Sequence, residues 1–224
     1  MPEGWRVALI DSGADPATLG AARAACRFVD RGGRVEAHPV VADAHGHGTQ
    51  VAGVLLDAAV PADAVPATLL VAQVFDHRRA TTAATVAAAI HWAIAERATL
   101  VHMSLGLRED RAVLAAAVAA AAAAGILLVA SMPARGPPPF PAAYPGVIRG
   151  TGDARCGPAE ISALDADRAH FGGCARSDGG TGGASIGAAH LSRFILRTLL
   201  PGAGYDASRR RLAALARFHG PERR

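Results

Sequence analysis

Short apolar runs alternate with longer stretches of helical period from one end of the chain to the other. Strands are predicted at Arg6 to Ile10, Leu69 to Phe75, Leu100 to Met103, Ile126 to Ala130 and Val147 to Thr151. Helices are predicted between them, near Pro16 to Arg27, Gly48 to Ala58, Thr82 to Arg97 and Asp110 to Ala124. Strands that are apolar almost throughout, each followed by a helix, belong to a mostly parallel sheet covered on both faces. The expected fold is therefore a compact α/β, doubly wound sandwich, with functional groups at the carboxyl ends of the strands. Pro133 to Pro145 reads as a loop, since Pro137-Pro138-Pro139 can join neither a helix nor a central strand. Gly172 to Gly183 reads as a second irregular region, followed by an apolar helix through Leu199. The tail carries a basic amphipathic helix (206–218) with Arg209, Arg210, Arg211 and Arg217. No repeat or second domain interrupts the pattern, so residues 1–224 are expected to form one domain.

Composition narrows the function classes. With 51% apolar and 19% charged residues the chain can fill a core. The formal charge of +4 is too small for a nucleic-acid binder without a clustered basic face. All 23 basic residues are arginine, and asparagine is absent. From Ala112 to Met132 about 21 residues carry no charge, the length of a membrane span. Alanine dominates that run and Gly125 divides it, so a helix followed by a buried strand is expected, with no membrane association. Cys26, Cys156 and Cys174 are odd in number and lack metal-ligand spacing, which suits reduced thiols in a cytoplasmic protein. Strand residues begin within about five residues of Met1, so no secretion signal is expected.

Two segments carry candidate chemistry. Val7-Ala8-Leu9-Ile10-Asp11-Ser12-Gly13 puts a carboxylate at the end of a buried strand. His45-Gly46-His47-Gly48-Thr49-Gln50-Val51-Ala52-Gly53-Val54 opens a helix with a histidine and allows close packing at Ala52 and Gly53. Separately, each suits a turn or a surface loop. His45, His47 and Asp11 could also ligate a metal, but no cysteine or third histidine completes a set, so no metal is expected.

Together the segments resemble the subtilisin-like serine proteases, the subtilases. Asp–Ser–Gly follows the first strand, and His–Gly–Thr–x–Val–Ala–Gly opens a helix. Ala67 to Val74, Met103-Ser104-Leu105-Gly106 and Tyr144-Pro145-Gly146-Val147-Ile148 then follow in the family's order, so the resemblance spans about residues 5 to 200. It implies that Asp11 orients His47 and that His47 is the general base. It also implies that Ser104, Leu105 and Gly106, facing Ala130, Ser131 and Met132, bind substrate, and that no cofactor is needed.

Two registers fit the family's nucleophile block. Alignment on Gly180-Thr181 puts Gly182 at the serine position and leaves a dead site. A three-residue shift aligns Gly183-Ala184-Ser185-Ile186-Gly187-Ala188-Ala189-His190, which recovers the glycine, the serine and the histidine five positions on. The second register makes Ser185 the nucleophile. Alternatively, Ser185 caps a helix in a catalytically silent peptide-binding module.

The chain departs from the family where an Ala–Ala–Gly–Asn passage supplies an oxyanion donor. Here Ala130-Ser131-Met132-Pro133 stands instead, with Met132 at the glycine and Pro133 at the asparagine. Loss of such a donor costs on the order of 10²–10³ in turnover. That penalty suits a slow, narrowly specific enzyme that removes a leader peptide from one protein partner. The chain is similar to subtilases that process a leader during biogenesis of quinohemoprotein amine dehydrogenase, whose small subunit is then the expected substrate. Leader removal in another peptide-modification pathway is the alternative.

Overall fold

The computed structural model describes residues 4–56, 65–164, 168–177 and 182–223. In chain order the elements are β1 (Trp5–Asp11), α1 (Pro16–Ala21), β2 (Ala24–Arg31), β3 (Arg34–His38), α2 (His47–Leu56) and β4 (Ala67–Gln73). There follow α3 (Ala83–Ala95), β5 (Leu100–Met103), α4 (Ala112–Ala123), β6 (Leu127–Ser131) and β7 (Val147–Asp153). The chain continues through β8 (Ile161–Ala163), β9 (Phe171–Cys174), α5 (Ala184–Thr198), α6 (Tyr205–Leu215) and β10 (Phe218–His219).

All ten strands join one sheet in the order β10-β8-β9-β7-β6-β5-β1-β4-β2-β3. Pairing is parallel except in the β2–β3 hairpin and between β8 and β9. β1 lies between β4 and β5, so Asp11 emerges at the carboxyl edge of a central strand. One face packs on α3 and α4 through Val86, Ile90, Leu114 and Val118, which meet Ile10, Met103 and Leu128. The other face is covered by α2, α5 and α6. Val51 and Leu55 of α2 meet Ile186 and Ala189 of α5 over Leu9 and Val71, while Leu191, Ile195 and Leu212 cover Val129 and Ile148.

The helix expected over Pro16 to Arg27 is corrected. α1 stops at Ala21, and Ala24–Arg31 forms a strand parallel to β4. Its period is two rather than 3.6: Cys26 and Phe28 pack on the α3 face, and Phe28 meets Trp92 edge-on at 6.1 Å. Cys26 is therefore a strand residue. In the glycine-rich region Gly172 and Gly173 belong to β9. The basic tail helix ends at Leu215, and Phe218 and His219 add a short strand beside β8. Asp57 and Ala58, at the expected end of the second helix, lie outside the described residues, as do Gly180 and Thr181. The uncharged run from Ala112 divides into α4 and β6, and among the described residues no helix is long and apolar enough to cross a membrane.

Candidate active site

Asp11 ends β1 with no exposure to solvent. Its Oδ1 accepts from the Ser12 backbone N–H at 2.7 Å and lies 2.7 Å from His47 Nδ1. A carboxylate only accepts, so Nδ1 carries the proton and the Nε2 lone pair is left free to take another. The hydrogen bond to Asp11 outweighs burial and raises the His47 pKa above its ordinary value.

The backbone around His47 is held from both sides. Gly48 N–H donates to Ser12 Oγ at 2.9 Å. A Cβ on Gly48 would lie 2.1 Å from the Gly13 carbonyl oxygen, so only glycine lets α2 start this close to β1. Asp43 collects the rest of the loop: Oδ1 accepts from the N–H groups of His45 and Gly46, and Oδ2 from the N–H and hydroxyl of Thr49, all within 3.0 Å. Burial raises the Asp43 pKa, but these donors outweigh it and hold the carboxyl below its usual range. The sequence analysis missed Asp43, although its position just ahead of the helix-opening motif was a capping signal.

A second missed residue is His102 in β5. It is fully buried, with Nδ1 2.9 Å from Ser192 Oγ of α5 and Nε2 2.7 Å from Ser104 Oγ. Burial pushes its pKa down to about 3, so the ring is neutral and joins α5 to the segment beside the dyad. Ile10 pairs with Met103 across β1 and β5, which makes Asp11 and Ser104 the next neighbours at the strand ends. Both line a cavity of about 210 Å³ together with Ser12, His45, His47, Phe75 and Arg79.

Ser185 lies in the first turn of α5 and is partly exposed. Packing of Ile186 and Ala189 on Val51 and Ala52 brings that end of α5 against α2. Glycines make the approach possible on the sheet side. A Cβ on Gly187 would lie 2.2 Å from the Thr151 oxygen, and one on Gly173 would lie 2.3 Å from the Gly187 oxygen. Gly183, at φ 120°, turns the chain into the helix. Gly182, the serine position of the alternative register, has no room for a side chain: a Cβ there would meet the Ala175 oxygen at 2.4 Å. His190 is buried and its Nε2 lies 3.0 Å from the Arg176 oxygen. Among the described residues no hydrogen bond joins Ser185 to His47.

The expected substrate-binding residues lie at the ends of β5 and β6, and of these only Ser104 lines the cavity with Asp11 and His47. Ser104 and Leu105 are buried, Leu105 in the α3–α4 core, while Gly106 is exposed and lies against Pro139. Leu107 pairs with Phe140 of the proline-rich loop. Ala130 and Ser131 are buried in β6. Met132 is 1% exposed and packs on Leu164 and Ala169, because those apolar partners lie within reach of its flexible thioether. The following loop is clamped by Arg168, which donates to the Pro133 and Gly136 carbonyl oxygens.

The subtilase family profile matches residues 3–149, well over half of the chain. The protein belongs to the subtilase family. The matched stretch includes Asp11, His47 and residues 104–106 and 130–132 but ends before Ser185. Solved structures with the same fold include sphericase, with 19% identity, a TM-score of 0.69 and 95% of this chain covering 83% of that one. The S41 psychrophilic protease aligns at 19% identity and TM-score 0.70, over 95% and 82% of the two chains. A mutant of the protease domain of PatA aligns at 19% identity and TM-score 0.64, over 93% and 86%. No curated protein matches significantly by sequence. Family membership makes this a subtilisin-like serine endopeptidase acting on protein or peptide.

Proposed function

We propose that Asp11, His47 and Ser185 form the catalytic triad of an endopeptidase that removes a leader peptide from one protein partner. The observation that carries the reading is the 2.7 Å bond from His47 Nδ1 to the buried Asp11, with Nε2 left open on the cavity side. Packing of the first turn of α5 against α2 supports Ser185 as the nucleophile, as does the lack of room at Gly182.

In this reading Ser185 Oγ attacks the scissile carbonyl carbon while His47 Nε2 takes its proton. Asp11 holds the tautomer and stabilises the imidazolium that forms. Collapse of the tetrahedral intermediate expels the amine, which receives the proton from His47. Water then repeats the sequence on the acyl-enzyme. The backbone N–H groups opening the 15-residue helix α5 face the developing oxyanion. The substrate backbone runs between 104–106 and 130–132.

Narrow specificity is supported by the oxyanion position, where the proline ring of Pro133 supplies no donor and the chain has no asparagine to replace it. Within this proposal the partner is a leader-bearing protein, the small subunit of quinohemoprotein amine dehydrogenase or the precursor of another modified peptide. The cytoplasm is the compartment that fits three free thiols at Cys26, Cys156 and Cys174. One observation favours a silent peptide-binding module instead: Ser185 makes no hydrogen bond to His47. Catalytic hydrogen bonds often tighten only when substrate binds, so the enzyme is the better reading. Incubation with the leader-bearing partner tests it: a single new amino terminus is expected, and an intact partner under conditions that label Ser185 would count against leader removal.

A further inference from the structure

We propose that the cavity beside the dyad receives a carboxylate-bearing side chain from a substrate residue next to the scissile bond, with Arg79 as its counter-charge. This rests on the peptidase reading of the same site. Arg79 sits in a turn after β4, where Asp76 and Ala80 exchange a backbone bond and the Asp76 carboxylate accepts from the N–H groups of Arg78 and Ala80. Its φ of 60° is a left-handed conformation that non-glycine residues rarely adopt, and the residue lines the cavity together with Asp11 and His47.

The side chain is held by His45. The Nε2 of His45 lies 2.7 Å from the Asp76 carbonyl oxygen, which can only accept, so Nε2 carries the proton and Nδ1 is an acceptor. Arg79 Nε–H donates to that Nδ1 at 3.3 Å. One guanidinium nitrogen is thereby fixed, while the two terminal nitrogens hold no bond among the described residues. None of the nearby carboxylates holds the terminal nitrogens among the described residues. Asp11 Oδ1 serves His47 and Ser12 while its Oδ2 is buried and unpartnered, Asp43 serves its loop, and Asp76 serves its turn. A cation with two parallel donors free, at the wall of a cavity of about 210 Å³ that also contains His47, matches one side-chain carboxylate. Phe75 provides an apolar wall for its methylene groups.

Electrostatics point the same way. Arg79 opposes protonation of His47, whereas Asp11 and Asp43 favour it. A bound carboxylate would cancel part of the Arg79 field and make His47 a stronger base only while the correct substrate is present.

The test uses alanine-rich peptides, amidated at the C-terminus so that no terminal carboxylate competes. Glu, Gln or Arg is placed singly at each of four positions on either side of the cut. Glu within two residues of the cut should raise kcat/KM about tenfold over Gln, the scale of one charge-assisted contact. Arg79→Gln should bring the Glu-to-Gln ratio close to one, and Arg79→Glu should reverse the preference toward Arg. A wild-type ratio near one at every position, or an unchanged ratio in Arg79→Gln, overturns the proposal.

A second measurement does not need turnover. The His47 ring is titrated by NMR with N-acetyl-glutamic acid amide or N-acetyl-glutamine amide, in the presence of its neighbours Asp11, Asp43, Arg79 and His102. Only the acid should raise the His47 pKa, and only with Arg79 intact; equal effects of the two amides contradict the proposal. Failure of a fluorophosphonate to label Ser185 counts against the peptidase reading, and the titration still decides the charge preference of the cavity.

Discussion

The two halves of the site are built differently. Around Asp11 and His47, directional side-chain bonds hold the site: Asp43 gathers three N–H groups, Ser12 caps Gly48, and His102 ties Ser104 to α5 through their hydroxyls. Around Ser185, glycine lets backbone meet backbone, with Gly187 against Thr151 and Gly173 against Gly187. The first half fixes a proton-transfer geometry through directional bonds. The second fixes the height of a helix over the sheet by steric contact and, among the described residues, leaves Ser185 without a bond to His47. Under the proposed triad, the general base would be preorganised in the free protein and the nucleophile aligned by packing until substrate arrives.

The largest effect should come from the steric half. Ser185→Ala is expected to lower peptide cleavage by on the order of 10⁴-fold or more while the fold survives, because the side chain is small and partly exposed. Residual cleavage within tenfold of the parent would remove Ser185 from the triad. Next comes Asp11→Asn, which can donate to Nδ1 and so forces the wrong tautomer on His47; a loss of about 10⁴-fold in kcat with little change in thermal stability is expected. A stability loss that matches the activity loss would make Asp11 a structural residue.

Gly187→Ala sharpens the contrast, because its Cβ must displace backbone rather than a flexible side chain. Destabilisation of about 1–3 kcal/mol is expected in denaturant melts, and activity should fall further as α5 lifts from β7. Asp43→Ala should leave activity about ten- to a hundredfold lower and cost about 1–2 kcal/mol, the scale of a lost cap. An unchanged Gly187→Ala melt, or an unchanged Asp43→Ala assay, would be incompatible with the two-part construction.

The smallest effect is a shift in a pH profile. His47 must be neutral to accept a proton, and its bond to Asp11 raises its pKa. The acid limb of kcat/KM should therefore lie above the ordinary histidine value of about 6.5. The linked stability runs the other way: the raised pKa stabilises the fold below the unfolded value, and that contribution disappears as pH rises through the folded one. His102 should contribute no limb near neutrality, since burial holds it at about 3.

The same division explains what could be read from the amino-acid sequence. β1, β4, β5, β6 and β7 were legible as continuous apolar runs, and α3 and α4 as alanine-rich helices between them. β2 was not, because Ala24-Ala25-Cys26 continues the alanine pattern of α1 and only its pairing with β4 selects an extended backbone. Asp11 and His47 stand in motifs that are local along the chain. Asp43 sits just ahead of the second motif and was overlooked, whereas His102 and Arg79 reach Ser192 and His45, ninety and thirty-four positions away. The packing partners of Met132, Leu164 and Ala169, also lie more than thirty positions away, and no local pattern marks them.

The central claim is that one serine is activated by one preorganised histidine. It is tested most directly by a biotinylated fluorophosphonate, followed by proteolysis and mass spectrometry of the modified peptide. A single adduct on Ser185, lost in His47→Ala and strongly slowed in Asp11→Asn, is the predicted result. No adduct on the folded protein, or an adduct on Ser12, Ser104 or Ser131 with Ser185 unmodified, would contradict it.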